Sequence, residues 1–309
     1  MKKFLFRPYR WAIIYTILLA GALTFTLLDT FVLPKSIASV STASSTSTTT
    51  SSKEETTTEL ASKSAAIVTD TSYEDENIKI TIETAYKYNS NIYVADIQVS
   101  DPSYLKTALA NSTYGRNITE TTSDMAEDNE AIFAINGDYY GFRDGGYVLR
   151  NGIPYRETAR GGDNDALVID KDGNLSIVQE GEVSLDSLTD SGAWQILSFG
   201  PGLVVDGKIA VTTSSEVGQS MTSNPRTAIG QISELHYVVI VSDGRTTESA
   251  GLSLLQLAQE FKERNCTIAY NLDGGGSSTM YFNGKVINNP TSGKSIGERK
   301  VSDIVYFGY

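Results

Sequence analysis

The stretch NLDGGGSSTM, residues 271–280, sets one carboxylate, Asp273, between an apolar run and a loop of three glycines and three hydroxyl side chains. Three successive glycines call for a tight turn or a close approach to the backbone, so Asp273 is expected at the rim of a sheet beside free N–H groups. Two other segments have the same form. Asn136-Gly137-Asp138 follows the apolar AIFAI, and Asn224-Pro225-Arg226-Thr227 leads into AIG. Together they supply two carboxylates, an amide, a guanidinium and a loop rich in backbone donors. A guanidinium fork with a nest of N–H groups suits a phosphate or carboxylate, and paired carboxylates suit glycoside cleavage. Singly, each segment also reads as an ordinary turn, surface ion pair or flexible loop. Their joint occurrence at apolar strand ends points to a site for a sugar or an anion. The glycine run matches neither nucleotide-binding pattern, G-x-x-x-x-G-K-[ST] or G-x-G-x-x-G.

Other chemistries are narrowed by composition. The 309 residues include one histidine and one cysteine and carry a net charge of −12. A lone Cys266 excludes an intrachain disulfide framework and a cysteine metal cluster. His236, in LHYVVIVSDG, reads as a strand residue near a sheet edge, and no G-x-S-x-G turn supports a serine hydrolase. No cofactor is expected. Any metal would be calcium or magnesium held by oxygens, with Asp138, Asp144 and Asp273 as candidate ligands, but no EF-hand spacing is present. The acidic balance argues against nucleic acid as a partner.

The elements that must position these residues follow from hydropathy patterning. IKITIETAYKY and NIYVADIQVS alternate around NSN and predict a hairpin over residues 78–100. PSYLKTALA and TTSDMAEDNE have helical character, and AIFAIN, residues 131–136, reads as a buried strand. ALVIDKDGNLSIV and SFGPGLVVDGKIAV each predict a hairpin. LHYVVIV is a buried strand. SLLQLAQEFKERN is a helix with Ser253 and Gln256 as a capping box and Leu254, Leu257, Ala258 and Phe261 on one face. CTIAYNL is the next strand. Strand, helix and strand with short joints predict a parallel pair with a right-handed crossover, and ligands collect at the carboxyl ends of such strands.

The N-terminus has a different character. Residues 1–10 form a basic tail with no acidic residue, and residues 11–33 are a mostly apolar run whose only charge is Asp29. This reads as a cytoplasmic tail and a transmembrane signal anchor, with a cleaved signal peptide as the rival. Residues 34–72 are dominated by Ser and Thr and read as a disordered stalk. A globular, extracytoplasmic region follows, with 73–130 as its N-terminal part and 131–309 as its main domain.

In order along the chain, AIFAINGDYY, NPRTAIG, AYNLDGGGSSTMYFNGKVINNP and GERKVSDIVYFGY resemble the motif series of the phosphodiester glycosidase family, from about Ile132 to Tyr309. The resemblance implies an α+β domain built on mixed sheets. It also implies removal of a sugar joined through its anomeric carbon to a phosphodiester. The family's polar positions fall on Asn136, Asp138, Arg226, Asp273, Ser277 and Arg299. On this reading Asp273, Asp138 and Asn136 are catalytic. Arg226, Gly274, Gly275, Gly276, Ser277, Ser278 and Arg299 bind substrate, with Arg226 and the loop amides on the phosphate. The partner implied is a sugar-1-phosphodiester or cell-surface glycan, in cell-wall or exopolysaccharide metabolism; the N-terminal helix adds the cell membrane as a partner, and an exposed domain without disulfides suggests a bacterial surface protein. A non-catalytic glycan- or phosphate-binding module of the same fold is the alternative.

Overall fold

The computed structural model describes residues 10–39, 66–215, 223–293 and 295–309. The basic tail before Arg10 and most of the Ser/Thr stretch lie outside them. Helix α1 (Arg10–Phe31) has its apolar side chains exposed, and its first 20 residues have a mean hydropathy of 2.0, long and apolar enough to cross a membrane. The two ends of the expected stalk are structured: Lys35–Ser39 forms β1, and β2 (Ile67–Val68) and β3 (Ser72–Glu74) begin the main sheet.

The predicted hairpin is β4 (Ile78–Lys87) and β5 (Ser90–Val99), paired over their full length. Its turn falls at Tyr88–Asn89, both with positive φ, one residue earlier than NSN suggested; such a turn matches the twist of the strands it joins. The helical expectation over 102–110 is corrected. Pro102–Tyr104 is a single 3-10 turn, and β6 (Leu105–Leu109) is a strand whose buried Leu105, Thr107 and Leu109 alternate. Pairing with the last strand overrides local helix propensity there.

The chain continues through β7 (Thr113–Arg116), α2 (Thr122–Asp128) and β8 (Phe133–Asn136). It then forms β9 (Val148–Arg150), β10 (Ile153–Arg156), β11 (Asp165–Asp170) and β12 (Leu175–Gln179). Next come α3 (Leu185–Asp190), β13 (Ala193–Leu197), β14 (Gly202–Val205) and β15 (Lys208–Ile209). The C-terminal third holds β16 (Arg226–Ser233), β17 (His236–Ser242), α4 (Leu254–Glu263) and β18 (Ile268–Asn271). The strands that complete the structure are β19 (Met280–Phe282), β20 (Lys285–Val286), β21 (Thr291–Ser292), β22 (Ser295–Ile296) and β23 (Asp303–Phe307).

The parallel crossover is also corrected. β17 and β18 do run in the same direction, but β16 lies between them and pairs antiparallel with both. The tight β16–β17 hairpin fills the slot that a parallel partner would need. The resulting nine-stranded sheet has the order β15-β14-β18-β16-β17-β5-β4-β3-β2. Residues 73–130 are therefore not an appendage, since β4, β5 and β6 are built into the sheets. His236 opens β17, an interior strand, with Nε2 3.0 Å from both oxygens of Asp96, rather than standing on an edge strand.

Two five-stranded sheets, β10-β9-β13-β11-β12 and β20-β19-β8-β23-β6, pack on one face of the large sheet. The core between them includes Ile80, Ile97, Phe133, Ile135, Leu167 and Tyr270. Helix α4 covers the opposite face through Leu254, Leu257, Ala258 and Phe261, and both hydrogen bonds of its capping box are made. The fold is α+β and mostly sheet.

Candidate active site

The site lies where two sheets meet. β8 of a five-stranded sheet and β18 of the nine-stranded sheet end side by side, and Asp273 N donates to Gly137 O at 3.2 Å. Asn136 fastens this seam. Its Nδ2 donates to Asp273 O at 2.7 Å, while Oδ1 accepts from Thr227 Oγ1 at 2.8 Å and Thr279 N at 3.2 Å. Both ends of the amide are spent on the protein and the side chain is fully buried. The structure gives Asn136 the position of a support for Asp273.

Asp273 is only 7% exposed. Oδ2 accepts from Ser277 Oγ at 2.5 Å and from Arg299 Nη2 at 3.2 Å, and Oδ1 accepts from Gly274 N at 3.0 Å. Burial raises its pKa above the ordinary carboxylate range, and the Arg299 charge and the Ser277 hydroxyl act in the opposite direction. Arg299 also donates to Ser277 Oγ through Nε at 3.0 Å, so Asp273, Ser277 and Arg299 form one connected group.

Asp138 is held differently. Oδ1 accepts from Tyr140 N at 2.8 Å; Oδ2 accepts from Ser198 N at 2.8 Å and Arg150 Nη2 at 2.9 Å. Every partner is a donor, which fixes the group as an acceptor. Arg150 in turn donates to Asp303 Oδ2 from Nε at 2.9 Å and Nη2 at 2.7 Å. Two carboxylates and one guanidinium are thus buried together. Gly137 is required beside them, because a Cβ there would stand 2.4 Å from Asp303 Oδ1. Burial, together with the Asp138 charge and against that of Arg150, pushes Asp303 up to about 7.

Asp138 and Asp273 line one cleft of about 150 Å³ with Tyr139, Phe142, Ser277, Arg299 and Lys300. This geometry can do glycosidic chemistry: one carboxylate is locked by donors, and the other is buried with its proton affinity raised.

The sequence model of the phosphodiester glycosidase family matches residues 129–308. The chain belongs to the phosphodiester glycosidase family. The SPbeta prophage-derived uncharacterized protein YomE of Bacillus subtilis is 33% identical over 204 residues, covering 64% of this chain and 31% of that one. The N-acetylglucosamine-1-phosphodiester alpha-N-acetylglucosaminidase of Bos taurus is 29% identical over 189 residues, covering 55% of this chain and 35% of that one. The chain thus spans about a third of the length of these curated relatives. The zebrafish N-acetylglucosamine-1-phosphodiester alpha-N-acetylglucosaminidase catalytic domain, auto-inhibited by its pro-peptide, has the same fold. Its TM-score is 0.59 at 23% identity, covering 75% of this chain and 83% of that one.

Within this phosphodiester glycosidase domain the sequence-expected residues divide into two groups. Asp138, Asp273, Ser277 and Arg299 meet at the cleft. Arg226 does not line it: the side chain is buried and Nε donates to Leu252 O at 2.9 Å. Successive strand residues point to opposite faces, and it is Thr227, one residue on, that faces Asn136. The expected anion nest also differs. The amides of Gly274, Gly275, Ser277 and Ser278 donate to Asp273 Oδ1, Pro225 O, Gly274 O and Gly275 O, and Gly276 is packed against Ser292. The loop is a tight, internally bonded support for Asp273. Asp144 stands apart, its exposed carboxylate paired with Arg116, and among the described residues no cluster of three acidic, His or Cys side chains could hold a metal. Arg150 and Asp303 carry no recognisable spacing, although Asp303 closes the GERKVSD segment. Arg143 likewise carries no recognisable spacing.

Proposed function

We propose that this protein is a membrane-anchored, extracytoplasmic hydrolase that removes a sugar from a sugar-1-phosphodiester. The observation that carries this reading is the pair Asp138 and Asp273 on one cleft, with Arg299 and Lys300 beside them. Family membership and relatives named for phosphodiester cleavage add support.

Departure of a phosphate monoester from the anomeric carbon leaves positive charge on the sugar. Asp138, oriented by Arg150 and two backbone amides, is suited to stabilise that charge without moving. Asp273, buried and bonded to Ser277, is suited to handle the proton of the attacking water or of the departing oxygen. Phosphate is a good leaving group, so electrostatic positioning supplies most of the rate in this mechanism. The membrane placement is supported by α1 and by the basic residues preceding it, which favour a cytoplasmic N-terminus. Substrates reachable from there include phosphodiester-linked sugars of cell-wall polymers and exopolysaccharides.

The test is incubation of the full chain in detergent micelles with methyl N-acetylglucosamine-1-phosphodiester. Free sugar and methyl phosphate are the expected products. Binding of the diester without release of sugar would instead make the protein a glycan- or phosphate-binding module.

A further inference from the structure

The arginines around the cleft are mostly committed, and Lys300, which lines it, offers a point charge without a fork of donors. Arg299 pairs with Asp273, Arg150 with Asp138 and Asp303, Arg160 with Glu180, and Arg116 with Asp144. Arg156 gives its guanidinium to the carbonyls of Gly146, Tyr140 and Arg143. Arg143 is different. Its guanidinium carbon lies 4.8 Å from the Phe199 ring centroid and 5.2 Å from that of Tyr139, so two aromatic rings hold it. Among the described residues its one side-chain hydrogen bond, from Nη1 to Ser198 O, is long at 3.4 Å. Among the described residues no carboxylate is within ion-pair distance of it.

This position is built. Tyr139 stacks on Phe142 with centroids 4.8 Å apart, and both rings line the cleft. The Arg143 carbonyl is tied down by Arg156 Nη1 at 2.6 Å. Ser198, whose carbonyl Arg143 touches, gives its amide to Asp138. Arg143 thus adjoins the acidic pair. Burial and the Arg160 charge lower its pKa, and the charges of Asp138 and Asp273 counter this. A guanidinium so placed is poorly hydrated and keeps most of its fork of donors unspent, which is the form suited to a phosphate.

We infer that Arg143, clamped between Tyr139 and Phe199 just outside the residues that line the cleft, is an anion-binding residue at its edge and receives the phosphate of a phosphodiester whose sugar lies over Asp138 and Asp273. The inference rests on the proposed function for the identity of the ligand. It moves the phosphate contact from Arg226 to Arg143, and it gives the site a preference for phosphodiesters over neutral glycosides.

Calorimetry of the full chain in detergent with methyl phosphate tests it. Wild type should bind, Arg143→Met should bind about 30-fold more weakly, the scale of a lost charge-assisted contact, and Arg143→Lys should fall between them, since an ammonium keeps the charge without the fork. Asp273→Asn should bind at least as well as wild type, because it removes a negative charge near the anion. No binding by wild type, or equal binding by wild type and both Arg143 variants, overturns the inference. Binding that follows this series, in a protein that releases no sugar from the diester, would uphold the anion site while defeating the hydrolase reading.

Discussion

Arg150 Nη2 lies 2.9 Å from Asp138 Oδ2 in a contact from which solvent is excluded. The same nitrogen reaches Asp303 Oδ2 at 2.7 Å. One guanidinium therefore serves two buried carboxylates, and Asp303 Oδ1 has no hydrogen-bond partner among the described residues. Arg150→Met removes the guanidinium that both carboxyl groups bond and leaves them buried against each other without it. Breaking a buried pair in this way costs about 3–5 kcal/mol. Urea unfolding of the variant should show a loss of that size, and a loss near zero would mean that the triad does not hold Asp138.

Asp303 also makes stability depend on pH. Burial raises its folded pKa from the ordinary 3.8 to about 7. A carboxyl raised in this way contributes stability that is fully present below its unfolded pKa. That contribution is lost as pH rises through about 7, because the unfolded chain ionises first. Asp303→Asn should flatten the fall in melting temperature between roughly pH 4 and 7. A wild-type fall that persists unchanged in the variant would assign the dependence to another group.

Gly275 has φ +62, and a Cβ there would stand 2.7 Å from Arg245 Nη2. Gly275→Val combines a β-branched side chain in the left-handed region with displacement of Arg245, which donates to Asn224 Oδ1 at 3.2 Å. The variant should be destabilised by about 2 kcal/mol or more in chemical unfolding. Gly284 also has positive φ but open space around it. Gly284→Ala should therefore cost less, and the reverse order would contradict the proposed close approach.

Sequence patterning reached the local elements well. The hairpin of β4 and β5, the turn at Asp206–Gly207 and the Ser253–Gln256 cap follow from contacts between near neighbours. Asp273 was legible because an apolar strand ending in glycines needs no partner to be recognised. Thr227 rather than Arg226 meets Asn136 at the seam, since period two fixes alternation but not which parity faces it. The Arg150–Asp303 contact joins residues from different sheets, and only their packing creates it. Similarly, strand, helix and strand in sequence fix the direction of β17 and β18 but not that β16 enters between them.

Chelation should leave turnover unchanged. Asp138 already uses its oxygens on Tyr140 N, Ser198 N and Arg150, and Asp144 is paired with Arg116 away from the cleft. The three acidic residues considered as ligands therefore share no cage. Loss of activity in EDTA, restored by calcium or magnesium, would require a site built from other groups.

Asp273→Asn is the sharpest test of the mechanism. Asparagine has the same shape and can still meet Ser277 and Gly274, and the Arg299 side chain it leaves unpaired is 42% exposed, so no buried charge is stranded. The melting curve should change little. Turnover of the sugar-1-phosphodiester should fall by about 100-fold or more, the scale of a lost acid–base or electrostatic contribution. The pH profile adds a second readout. Burial raises the Asp273 pKa, so its protonated form persists to higher pH than that of a free aspartate. The wild-type kcat/KM should carry a limb from this group above the ordinary carboxylate range, and that limb should be absent from the residual activity of the variant. Near-normal turnover with an unchanged limb would make Asp273 a structural cap on β18 and leave the chemistry to Asp138.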